Sequence, residues 1–208
     1  LLREGILRIT LKTNRSTTWK LVDRKKLEDL ISLKTARVSL PEGEIFKTIV
    51  GYETHKELIK RAIESDKPIH LLFWGRPSTA KTLFLLEITR LDGVVYLSGS
   101  NLRRPGLYEI ILMKPKILLI DQIDNVSDTS VYSLLLDVME WGNVTRNVAG
   151  NHTTVKSITK IFATANSIKR LPEALLSRFL VIKFEGYDEN EFSKIAKVLL
   201  EDFDLSEE

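Results

Sequence analysis

Five short apolar runs, interleaved with helical patterns, constrain this chain more than any other feature. They are 69–74 (IHLLFW), 94–97 (VVYL), 117–120 (ILLI), 160–165 (KIFATA) and 180–184 (LVIKF). A strand that is apolar at nearly every position, and not only at alternate ones, has to be buried on both faces, which is the pattern of a parallel sheet covered by helices. The helical patterns fit that arrangement. Residues 54–64 place Leu58, Ile59, Ala62 and Ile63 on one face, a helix of about 81–90 follows the first run, and 130–140 aligns Val131, Leu134, Leu135, Val138 and Met139. The expected fold is therefore α/β, a mostly parallel five-stranded sheet between helices, spanning 41–186. Pro41-Glu42-Gly43 marks its start, and Asp188 with Glu191 makes a capping box that opens a helix over 189–201, within a separate 187–208 segment.

Residues 1–40 read differently. ILRITL (6–11) and TWKLV (18–22) alternate apolar and polar residues around Asn14-Arg15-Ser16, a hairpin pattern, and 24–34 carries Leu27, Leu30, Ile31 and Leu33 at helical spacing. This small appendage holds 10 Lys/Arg against 4 Asp/Glu, whereas the remaining 168 residues hold 21 against 24. A basic appendage on a near-neutral core suits contact with nucleic acid or an acidic partner, and equally a solvated surface. The chain has no Cys, which rules out disulfides and thiolate metal sites and fits a reducing, cytoplasmic setting. His55, His70 and His152 are too scattered to make a metal site. The chain opens on Leu and not Met, which points to preceding sequence.

The loop after the first apolar run, GRPSTAKT (75–82), carries the first chemical signal. The general phosphate-loop pattern is G-x-x-x-x-G-K-[ST], which Gly75, Lys81 and Thr82 satisfy and Ala80 does not. A loop at a helix N-terminus aims backbone N–H groups and the helix dipole at phosphate oxygens. Gly75 would permit a sharp exit from the strand, the small residues Ser78, Thr79 and Ala80 would let the backbone approach the phosphates, and Arg76 and Pro77 complete the candidate binding stretch. Lys81 would reach the β/γ phosphates and Thr82 would ligate Mg²⁺. The alternative is an ordinary polar strand–helix loop.

ILLIDQID (117–124) strengthens the first reading. An apolar strand ending in Asp121 delivers a carboxylate to the C-terminal edge of a parallel sheet, where ligands bind, and a magnesium-holding aspartate belongs there. ATP and Mg²⁺ are thus the expected cofactors. The next residue is Gln122, where ATPases of this kind carry a Glu that polarises the attacking water. An amide orients water but takes no proton, and losing a general base costs about 10²–10⁴-fold in rate. Two explanations stand. Either a Glu→Gln exchange was introduced to trap ATP, which the surroundings favour, or the natural chain holds ATP and turns it over slowly or not at all.

The order FKTIVGYETHKELIKRAI, PIHLLFWGRPSTAKT, ILLIDQID, IFATAN, LLSRF resembles that of AAA+ ATPases over about 46–201, and most resembles archaeal RuvB-like (Holliday-junction helicase-like) ATPases, then MoxR and minichromosome-maintenance ATPases. The resemblance implies further roles. Ile49, Val50, Gly51 and Tyr52 would cradle adenine. Asn166 would be sensor 1, against the γ-phosphate or the lytic water. Arg178 would be an arginine finger acting on a neighbouring subunit's site, with Arg170 as its rival, and a finger is worth about 10³–10⁵ in rate. A homo-oligomeric ring, a hexamer, follows. The chain ends about one helix into a helical lid, so sensor 2 has no assignment.

What such a motor acts on is less sharply written. Residues 141–160 resemble the presensor hairpin of the MoxR and helicase branches, and carry Arg146, His152, Lys156 and Lys160 without an acid, with Gly142, Gly150, Asn147 and Asn151 suited to a tip. Arg146 and Lys156 are the candidate nucleic-acid contacts. Asn101-Leu102-Arg103-Arg104 is a second pore-loop candidate, and lacks the aromatic residue with which protein-threading rings grip polypeptide. The leading expectation is a RuvB-like nucleic-acid motor; a MoxR-like protein-remodelling chaperone and a non-hydrolysing ATP-binding assembly module are the alternatives.

Overall fold

The structure, a computed structural model, describes residues 7–12, 17–22, 38–40, 45–148 and 151–187. The expected helices over 24–34 and 189–201, and the turn at Asn14-Arg15-Ser16, lie outside the described residues.

The central sheet has five parallel strands, β3 (Leu71–Gly75), β4 (Val94–Ser98), β5 (Ile117–Asp121), β8 (Lys160–Ala165) and β9 (Leu180–Phe184), in the spatial order β4-β5-β8-β3-β9. Neighbours in space that are distant in sequence require crossovers, and the helices supply them. Alternation within β5 shows how the two cores arise. Leu118 and Ile120 pack with Leu72, Ile161 and Ala163 against α3 (Arg104–Leu112) and α4 (Ser130–Trp141). Ile117 and Leu119 pack with Leu71, Phe73 and Phe162 against α1 (Glu53–Glu64) and α2 (Lys81–Ile88). A short α5 (Glu173–Leu176) leads into β9. Two antiparallel hairpins stand apart from the sheet: β1 (Leu7–Lys12) with β2 (Thr17–Leu21), and β6 (Asn143–Val148) with β7 (Asn151–Lys156).

Several local expectations need correction. Leu58 is 38% exposed, on the outer face of α1 beside buried Ile59, Ala62 and Ile63. On α4, Tyr132 is buried, whereas Met139 is only half-buried. Helix α3 was not among the expected elements; its Pro105 sits in the first turn, where its missing N–H costs nothing. Gly142 is not at the hairpin tip. It caps α4 in the left-handed conformation (φ 59°), with its N–H on the Val138 carbonyl at 3.0 Å. Lys160 is not a hairpin charge either. It is fully buried, and its ammonium donates to the carbonyls of Ile63 (2.5 Å) and Ser65 (2.6 Å), closing the C-terminal end of α1. Burial pushes its pKa down to about 8.

Candidate nucleotide site

The loop between β3 and α2 lies at the C-terminal edge of the sheet, beside the ends of β5 and β8. Gly75 is required for a reason other than a sharp turn: a Cβ there would stand 2.1 Å from the Phe184 carbonyl oxygen of neighbouring β9. The turn itself is made by Ser78 (φ 62°) and Ala80 (φ 59°), both left-handed without being glycine. The loop runs into the N-terminus of α2, where unpaired backbone N–H groups and the helix dipole suit an anion. Each left-handed L-residue costs about 1–2 kcal/mol, so the rest of the fold has to hold the loop in place.

Lys81 is buried at 5% exposure. Its ammonium donates to the carbonyls of Gly75 (2.9 Å) and Arg76 (2.6 Å) and to Thr79 Oγ1 (3.1 Å), so it is folded onto its own loop. Burial lowers its pKa, and the negative charges of Asp121 and Asp124 work against that shift. The Thr82 hydroxyl donates to Asp121 at 3.2 Å to Oδ1, with Oδ2 at 3.4 Å. Thr82 thus ties the start of α2 to the end of β5, next in sequence to the buried Lys81. A cavity of about 310 Å³ opens over them, lined by residues 77–83 with Gln122, Thr164, Asn166 and Tyr187.

Two other side chains hold Asp121. Thr164, 1% exposed on β8, donates to Oδ1 at 2.5 Å, and Tyr96 on β4 donates to Oδ2 at 3.0 Å. Burial and the neighbouring carboxylate push the Tyr96 phenol up to about 12. Thr164 Oγ1 also accepts the Gln122 N–H at 2.8 Å, so one hydroxyl fixes both residues. Gln122 itself is left-handed (φ 54°), exposed, and accepts from Asn125 Nδ2 at 2.8 Å. Tyr96, Thr164 and Asp124 were all missed by sequence reasoning. Thr164, inside IFATAN and two residues before Asn166, and Asp124, which ends ILLIDQID, carried a positional hint; Tyr96 carried none.

Asn166 lines this cavity and also a second one of about 430 Å³ beside Trp74, Arg76 and residues 183–186. The segment Ile49–Tyr52 lines neither. Ile49 is buried in the core at 3% exposure, and Gly51 (φ 72°) and Tyr52 (φ 58°) turn the chain into α1. Tyr52 packs on Phe184 and Tyr187, each 5.2 Å between ring centres, and its hydroxyl donates to the Glu185 carbonyl. Arg178 also lies outside both linings: its guanidinium pairs with Glu140 at 2.6 Å and donates to the Ala174 carbonyl. Arg104 is committed to α4, with its N–H on Asp128 (2.9 Å) and its side chain on the Ser130 carbonyl (2.9 Å), so it is not a free pore-loop cation. Arg146 stands opposite Thr153 in the β6–β7 ladder, and Asn143 opposite Lys156. Among the described residues no group of three or more His, Asp or Glu side chains could hold a metal by itself, and no helix is long and apolar enough to cross a membrane.

Residues 71–187, more than half of the chain, match the sequence profile of the ATPase family associated with various cellular activities (AAA). The chain belongs to the AAA family. The match begins at β3 and ends at Tyr187, so it takes in the phosphate loop, the Asp121 strand end and the Asn166 turn. The chain is also similar to the DNA replication licensing factor mcm4 of Schizosaccharomyces pombe, 32% identical over 142 residues. That alignment takes in 53% of this chain and 16% of the relative, so the chain spans a small part of that protein's length. AAA membership implies ATP binding with a divalent metal and ATPase chemistry in general. The residues present fit both: hard oxygen donors at Thr82 and Asp121, a lysine on the same loop, and a cavity lined by residues 77–83 at the start of α2.

Proposed function

We propose that this chain is the ATP-binding core of an oligomeric motor that acts on nucleic acid. The observation that carries the nucleotide part is the contact of Thr82 with Asp121 beside a buried Lys81, at the mouth of one cavity. Thr82 and Asp121 would hold Mg²⁺, which when bound neutralises charge on the β and γ phosphates. The loop N–H groups from 77 to 82 would take the phosphate oxygens, with Lys81 leaving its loop carbonyls to join them. Asn166 would contact the terminal phosphate or the attacking water. Ile49, Val50, Gly51 and Tyr52 would border the adenine.

Gln122 stands where a water-polarising Glu would act, and this favours slow turnover in the present chain. Its amide is already tied to Asn125, an arrangement suited to orienting a water and not to accepting its proton. Arg178, half-exposed and outside its own chain's cavity, would serve a neighbour's site in a homo-oligomeric ring, releasing Glu140 to do so. The similarity to a protein named for DNA replication, together with the basic 1–40 segment and Arg146 and Lys156 on the hairpin, supports nucleic acid over a protein substrate.

The test is ATP hydrolysis by a Gln122→Glu protein with and without DNA. Turnover should appear, rise with single-stranded or branched DNA, and lose that stimulation as salt is raised. Turnover unaffected by DNA would overturn the nucleic-acid reading. No turnover at all, with ATP still bound, would support a holding module in place of a motor.

A further inference from the structure

The two strands that deliver Asp121 and Asn166 stop pairing with each other before either residue: the β5–β8 ladder ends at Ile120 opposite Ala163, while Asp121 still pairs with Ser98 of β4 and Ala165 with Trp74 of β3. Beyond that point no ladder joins the two ends to each other, and the backbone N–H groups of the turn after β8 need acceptors. Two side chains join the ends. One is Thr164, already described. The other is Asp124, in the tight turn 123–125 that follows β5, where the Asn125 N–H bonds the Gln122 carbonyl at 2.9 Å. Asp124 is 8% exposed, and its Oδ2 accepts the N–H of Asn166 at 3.1 Å and that of Ser167 at 3.0 Å. Its Oδ1 is buried and makes no hydrogen bond among the described residues.

An apolar side chain here would strand both N–H groups, so one oxygen of Asp124 has a clear structural task, while the other, Oδ1, is left idle. What this carboxylate does supply is a fixed geometry. It ties the backbone of Asn166, a residue that lines both cavities, to a turn three residues from Asp121. We infer that Asp124 is a positioning residue, which sets where Asn166 meets the terminal phosphate. This rests on the nucleotide reading above. The chemistry required is an oxygen acceptor of carboxylate length on two adjacent N–H groups, so Asn should replace Asp124 and a shorter or apolar residue should not.

The test is equilibrium binding of fluorescent ATP and ADP analogues to the full chain and to Asp124→Ala, Asp124→Asn and Lys81→Ala. Asp124→Ala should weaken the triphosphate at least about tenfold and change the diphosphate less than about threefold, because only the triphosphate reaches Asn166. Asp124→Asn should stay within about threefold of the parent for both, its amide oxygen taking the same two N–H groups. Lys81→Ala should weaken both nucleotides. If Asp124→Ala does not fold, as judged by circular dichroism, Asp124→Ser takes its place, because its hydroxyl leaves a polar atom in the buried position but is too short to reach both amides. An Ala or Ser protein that keeps the parent's affinities, or loses both nucleotides equally, overturns the positioning role while leaving the nucleotide site standing. An Asn protein as weak for the triphosphate as Ala also overturns it. A parent that binds neither nucleotide removes the nucleotide reading itself, and the positioning role with it.

Discussion

Thr164→Val removes one oxygen atom at nearly constant volume, and the structure says what that atom carries. Thr164 Oγ1 donates to the Asp121 carboxylate and accepts the Gln122 N–H at 2.8 Å. The site is buried, with Thr164 at 1% and Asp121 at 9% exposure. Water cannot replace the hydroxyl once a methyl group fills its place. Hydrogen bonds to a charged group are worth about 1.5–3 kcal/mol, and stranding a buried N–H costs about 1–3 kcal/mol. Asp121 keeps its bonds from Thr82 and Tyr96, which holds the first loss to the low end. Gln122 is exposed, which does the same for the second. The sum is about 2–3 kcal/mol, a large part of a typical domain's stability. Urea unfolding followed by circular dichroism reads it directly as a lower midpoint at unchanged slope. A loss below about 1 kcal/mol would mean that Thr164 does not tie the two strand ends together.

Ala80→Gly should relieve the left-handed strain at φ 59° and raise nucleotide-free stability by up to about 1 kcal/mol, offset in part by the extra freedom of glycine when unfolded; calorimetric melting checks this, and a lower Tm would contradict it. Gly99→Ala should disrupt the site from outside it, because its Cβ would lie 2.2 Å from the Gln122 carbonyl oxygen; nucleotide affinity equal to the parent's would count against that close packing. His70 is buried, accepts the Ile161 N–H at 3.1 Å on Nδ1, and is pushed down to about 4 by burial. Its neutral form is the one the fold retains, so its contribution is intact above about pH 6.5. It falls as acid protonates the unfolded chain first, by up to about 3 kcal/mol near pH 4. Stability measured from pH 7 to 4 should fall less steeply in His70→Gln, and identical slopes would refute the assignment.

The inner strands were legible because burial on both faces leaves little room for polar residues, as in 160–165, buried throughout; the edge strand 180–184 was read over its observed range from its apolar run, yet exposes Leu180 and Val181, so burial on both faces does not hold there. Helix α3 went unread although Pro105 and Gly106 stand only in its first turn, where they do not stop a helix. Lys160 was misread because a lysine beside a basic hairpin looks solvated until the α1 carbonyls that hold it are known. The residues contributed by loop and strand end, Lys81, Thr82 and Asp121, stand in contiguous motifs and could be picked out directly. Tyr96, Thr164 and Asp124 act through contacts spanning 25 to 43 positions, and no local pattern marks a partner that far away.

The central claim is that Lys81 and Asp121 serve one triphosphate, and titration of ATP into Lys81→Ala in the presence of Mg²⁺ tests it most directly. With the fold intact by circular dichroism, affinity should fall at least about thirtyfold, the scale of a lost charged contact with phosphate. A Lys81→Ala protein that binds ATP as tightly as its parent would contradict it.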